Sequence, residues 1–135
     1  MEFRWLAFCF SICFPPLSFS AELPEYEKGE LAGKLGFGAM TIDAYYEICV
    51  SNGFRTDNRL NGIAALLDAK WNLDLMLLFE EERDFSGRNF RQEAHNLVNS
   101  VAQRTGGCDT FEMKIWLSEF VELHEGDLLT FHGSP

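Results

Sequence analysis

The chain predicts an all-α fold: a compact bundle of about five short helices closed by one disulfide. Three observations carry this. Apolar residues recur at three- and four-residue spacing in segments between Thr41 and Leu123. Short connections rich in Asn, Gly and Ser join those segments, which favours antiparallel neighbours. Two cysteines, Cys49 and Cys108, remain once an N-terminal leader is set aside. Helices plus a small hairpin made from the two chain ends is the competing architecture.

The leader is residues 1–20, "MEFRWLAFCFSICFPPLSFS". Arg4 precedes an apolar run from Trp5 to Phe14, Pro15-Pro16 breaks it, and small Ser18 and Ser20 flank Phe19. This is the grammar of a secretory signal peptide, with cleavage expected after Ser20, or after Ala21 as the alternative. A membrane anchor needs roughly 20 apolar residues, about twice what this run supplies. Cys9 and Cys13 leave with the leader, and neither has the small-residue context of a lipid-attachment site. The mature chain is therefore expected in the periplasm or outside the cell.

Residues 21–40 carry Gly29, Gly33, Gly36 and Gly38. At about 1 kcal/mol each relative to alanine, that is a heavy load for a helix, and the segment reads as a flexible arm. The helical domain is expected over 41–125. Its first helix runs from Thr41, as N-cap, to Ser51, with Asn52-Gly53 as the stop and Cys49 on the buried side with Ile42, Tyr45 and Tyr46. The second starts near Thr56 or Asp57 and runs to Lys70, burying Leu60, Ile63, Ala64, Leu67 and Trp71. The third, Leu73 to Arg83, is so apolar between Leu75 and Phe79 that it is the candidate central helix.

The fourth is capped by Ser86, striped by Phe90, Ala94, Leu97, Val98 and Val101, and closed by Gly106. Asp109 and Glu112 suggest a capping box for the fifth, Thr110 to Leu123, which buries Met113, Trp116, Leu117 and Phe120. Cys108 then sits in a hinge where paired glycines let it be aimed at Cys49. Such a bridge would contribute about 4 kcal/mol by chain entropy. Residues 126–135 read as a tail.

The formal net charge of −10 repels nucleic acid phosphates and anionic lipid headgroups and favours a basic partner. Recognisable catalytic signatures are missing: the sequence has no nucleophile elbow, phosphate loop, zinc pair or dinucleotide fingerprint. No cofactor or metal is expected, since neither cysteine has further ligands at regular spacing.

His95 reads as a half-exposed helix histidine, and Glu93, two residues away, does not share its face. His124 and His132 fall at or beyond the end of the last helix. The charge run Glu80, Glu81, Glu82 and Asp84 is the candidate partner-binding patch, able to steer a basic protein.

Export, small size, one disulfide and acidity make the chain similar in composition to groups of bacterial periplasmic proteins, including immunity proteins that block antibacterial toxins. That similarity spans no aligned stretch and carries no residue across. The expected function is a non-catalytic binding protein acting through protein–protein contact, an inhibitor or immunity-type protein for a basic partner. Two alternatives remain: an accessory or carrier protein holding an apolar ligand or peptide, and a small hydrolase using Glu82 and His95.

Overall fold

The computed structural model describes residues 23–50 and 58–135. The leader, with Cys9 and Cys13, and the boundary signals at Asn52-Gly53, Thr56 and Asp57 lie outside the described residues. Five helices and no strand form among the described residues: α1 Glu25–Cys49, α2 Arg59–Trp71, α3 Leu75–Ser86, α4 Phe90–Thr105 and α5 Phe111–Gly133. No hairpin forms from the described ends. Helix α1 is the axis and packs against all four others, while α2 meets α3 and α4 meets α5 at its flanks.

The expected arm is the largest correction. Residues 25–40 are helical and form most of α1, in which Leu31, Ala32, Leu35, Gly36, Gly38 and Ala39 are all buried. Glycine cost was the wrong quantity to decide on alone. Burying a large aliphatic side chain returns roughly 1.5–3 kcal/mol, so Leu31, Leu35 and Ile42 together offset about 4 kcal/mol of glycine propensity.

Two of these glycines do more than tolerate the helix. A Cβ on Gly36 would lie 2.5 Å from Cζ of Phe79, and one on Gly38 would lie 2.5 Å from Nδ1 of His124. The missing side chains let α3 and α5 approach the axis closely.

Thr41 is consequently an interior residue. Its hydroxyl donates back to the Phe37 carbonyl at 2.8 Å instead of capping a helix. Asp43 takes up capping for another element: its carboxylate accepts from the backbone N–H groups of Arg59 and Leu60, both at 3.0 Å, at the start of α2. The Asn58 side chain accepts from the Asn61 N–H there as well.

The third helix is also corrected, for α3 is peripheral and buries only Leu75. Its apolar run circles the helix, and only one stripe of it reaches α1 and α4. Ser86 ends α3, donating to the Glu82 carbonyl at 2.7 Å, and Gly87 closes it with φ +74. Asn89 is the N-cap of α4, accepting from the Gln92 N–H at 3.1 Å. The cap of α5 is Thr110, which accepts from the Met113 N–H at 3.2 Å, one residue beyond the expected Asp109.

The expected tail is the last part of α5. Phe131 is buried and meets the Trp71 ring edge-on at 4.8 Å. Lys70 donates to the Phe131 carbonyl, and Trp71 Nε1 donates to the Pro135 carbonyl at 3.1 Å. The C-terminal turn is thus docked on the end of α2.

Cys49 and Cys108 form the expected disulfide, with a Cα–Cα distance of 5.3 Å and a sequence separation of 59. Cys49 is the last residue of α1. Cys108 follows Gly106 and Gly107, whose φ values of +89 and +129 belong to the left-handed side that glycine adopts without strain. The bridge closes the end of the bundle formed by Ala44, Tyr45, Val98, Val101 and Met113.

Candidate functional site

Helix α3 gathers most of the unusual surface. Leu77, Glu80, Glu81 and Asp84 stand at i, i+3, i+4 and i+7, the spacing that lines one helix face, and the three acids are all exposed. Leu77 is 49% exposed, Met76 beside it 47%, and Phe85 at the helix end 91%. A four-residue acidic patch was expected, and the helix divides it. Glu82 turns toward α1, where it lines a shallow depression of about 170 Å³ with Gly29, Gly33, Leu78, Phe79 and Phe90.

Within the stripe, Arg83 lies 3.9 Å from Glu80 and 4.0 Å from Asp84. All three are exposed, and such pairs contribute under about 1 kcal/mol. The carboxylates remain available to an outside cation.

Beside that stripe, and sharing Glu80 with it, lies a groove of about 450 Å³ between α1, α3 and the start of α4. Arg83, Arg88 and Arg91 line it, together with Met40, Met76, Phe79 and Phe90; Asn89 and Glu80 complete the rim. Arg88 forks onto Glu93 at 2.8 and 3.0 Å and stacks 4.6 Å above the Phe90 ring. The guanidinium's hydrogen bonds hold the Glu93 carboxyl below its usual range. Helical periodicity gives no hint of this groove, because its arginines come from α3, from the α3–α4 connection and from α4.

The histidines separate. His95 Nε2 lies 2.7 Å from a Glu47 carboxylate oxygen, and its Nδ1 lies 3.0 Å from the Arg91 carbonyl. Its partner thus comes from α1 and not from Glu93. Nor does Glu82 reach it: Glu82 faces Gly29 and Gly33 on α1, whereas His95 faces Glu47. Fourteen residues of helix, roughly 20 Å at 1.5 Å per residue, separate those two parts of α1.

His132 is exposed in the last turn of α5. His124 is expected near a helix end, yet it is mid-helix and only 2% exposed, and neither ring nitrogen has a hydrogen-bond partner among the described residues. Burial, with some help from the Arg59 charge, pushes this imidazole below its ordinary pKa, against Glu125, Asp127 and Asp43.

Among the described residues no group of three or more His, Cys, Asp or Glu side chains is placed to hold a metal ion. No helix among them is long and apolar enough to cross a membrane. No protein-family model, curated protein or solved structure matches this chain.

Proposed function

We propose that this chain is an exported, non-catalytic binding protein that docks a basic protein partner on the outer face of α3, in the manner of an inhibitor or immunity-type protein. The observation that carries the reading is the pairing, on a helix that buries one residue, of Glu80, Glu81 and Asp84 with the half-exposed Leu77 and Met76. Acidic groups accelerate the encounter with a cationic surface, and apolar side chains in their midst anchor the complex once water is expelled. A helix kept apolar on its solvent side gains nothing from that in folding. The leader grammar and the Cys49–Cys108 bridge support the exported setting.

Affinity capture from the cell envelope with the wild-type chain, beside the E80K/E81K/D84K variant, tests this directly. A basic protein retained by the first and lost by the second is the expected result. Its association rate with the wild type should exceed that with the variant by more than tenfold at low salt, and the gap should close as ionic strength rises. Equal rates for the two chains at low salt would remove the stripe from the function.

A further inference from the structure

We propose that the groove between α1, α3 and the start of α4 binds a small apolar carboxylate. Arg83 and Arg91 hold its acid group, and Met76, Phe79 and Phe90 receive its hydrocarbon body. The groove adjoins the acidic stripe and shares Glu80 and Met76 with it, but its ligand and its test do not depend on the protein partner proposed above.

Charge placement is the first argument. The chain has a formal net charge of −10 and only 11 Lys and Arg residues, yet three guanidiniums line this one groove against a single carboxylate, Glu80. Arg88 is already satisfied by Glu93. Arg83 has only the two long contacts at 3.9 and 4.0 Å. Arg91 makes no ion pair among the described residues, and it stands in the first turn of the 16-residue α4. A cation there opposes the positive end of the helix dipole and the arginines across the groove, with Asp43 and Glu47 near it only on the side away from the groove, in a smaller depression. An anion in the groove relieves the repulsion among these arginines.

The floor argues for the rest of the ligand. The Phe79 and Phe90 rings lie 5.2 Å apart, tilted by 45°, and Met76 leaves a flexible thioether 47% exposed beside them. A volume of about 450 Å³ falls in the range of small-molecule pockets. An apolar chain on that floor brings a terminal carboxylate up to the arginine rim, where guanidinium and carboxylate geometries match.

Decanoate is the probe, titrated into the full mature chain by calorimetry and by NMR of the methionine methyls. One saturable site per chain is expected, shifting the methyls of Met40 and Met76. Acetate, which has the head without the chain, and decyltrimethylammonium, which has the chain with the opposite charge, should each bind at least tenfold more weakly. The R83Q/R91Q variant should lose at least tenfold in decanoate affinity while its thermal midpoint holds or rises. The comparison of three ligands on the unmodified protein does not depend on that variant. Decyltrimethylammonium binding as well as decanoate, wild-type affinity in R83Q/R91Q, or the absence of a saturable site would each overturn the proposal.

Discussion

Glycine-to-alanine substitution along α1 separates two roles that the same residue type plays within ten positions. A Cβ added at Gly29 or Gly33 meets nothing within 4 Å. Alanine there recovers helix propensity, so Gly29→Ala and Gly33→Ala should each stabilise the fold by about 0.5–1 kcal/mol. At Gly38 the same Cβ lies 2.5 Å from Nδ1 and 3.4 Å from two carbons of the buried His124 ring. Overpacking of that kind costs about 1–3 kcal/mol. Set against a propensity gain of about 1 kcal/mol, the net loss for Gly38→Ala is up to about 2 kcal/mol. Gly36→Ala meets Phe79 and Leu75 on the peripheral α3, which can move outward, so its loss should be smaller. Urea denaturation reads all four, because with a slope of about 1–3 kcal/mol per molar a change of 1 kcal/mol moves the midpoint by about 0.3–1 M. If Gly33→Ala and Gly38→Ala shift the midpoint in the same direction, close packing of α5 on the glycine face of α1 is wrong.

Other consequences are equally open to measurement. Replacing both Cys49 and Cys108 by serine removes a cross-link over a sequence separation of 59 and should lower stability by about 4 kcal/mol; an unchanged melting temperature in the double variant would contradict the bridge. Asp43→Ala leaves two first-turn N–H groups of α2 without their carboxylate and should cost about 1–2 kcal/mol, read by chemical denaturation. Because folding buries a neutral His124 with a lowered pKa, the unfolded chain takes up a proton below about pH 6.5 that the folded chain resists. Stability should therefore be full above that pH and fall as the pH drops through it. His124→Leu should flatten this acid limb and raise stability at pH 7 by about 1 kcal/mol or more, since it removes two buried nitrogens without partners; an unaltered pH profile would clear His124 of the role.

The fold class, the disulfide and the existence of α2, α4 and the first part of α5 are legible in the sequence because each depends on local pattern. Leu60, Ile63 and Leu67 share one stripe of α2, and Ala94, Val98 and Val101 share one stripe of α4, and all are buried. What misleads is a helix buried on several faces along its middle, from Leu35 to Tyr45. Leu31, Leu35 and Ile42 share one stripe, but Gly33, Gly36 and Gly38 fall among them and Ala32, Gly36, Met40 and Thr41 are buried on further faces, so burial reaches well beyond that stripe and the stability of α1 comes from neighbours distant in sequence. Caps slip for a related reason. Ser86, Asn89, Asp109 and Thr110 are all competent caps, and the choice among them is made by Gly87 ending α3 and by the turn at Gly106 and Gly107. The acidic run was visible as composition, but the separation of Glu82 from the other three acids required the axis of α3.

The glycine-faced axis and the unusual surface of α3 are parts of one arrangement. Gly36 admits the Phe79 ring edge and Leu75 against α1, so α3 is held by a narrow contact: buried Leu75 with Leu78 and Phe79 partly buried beside it. A helix attached along so thin a line leaves most of its circumference in solvent. The outer part carries Glu81 and Asp84, the part turned toward α4 carries Arg83 into the groove, and Met76 and Glu80 stand at the border between the two. Opposite charges therefore sit a fraction of a turn apart on one short helix, and the weak Arg83 contacts at 3.9 and 4.0 Å leave them largely uncancelled. Uncompensated charge and half-exposed Leu77 and Met76 add little to stability, yet they cost little on a helix that gives the core one fully buried side chain and two partly buried ones. A small bundle can carry binding chemistry there without weakening its centre, which is the division of labour that the proposed recognition on α3 draws on: α1, the disulfide and the docked end of α5 maintain the fold.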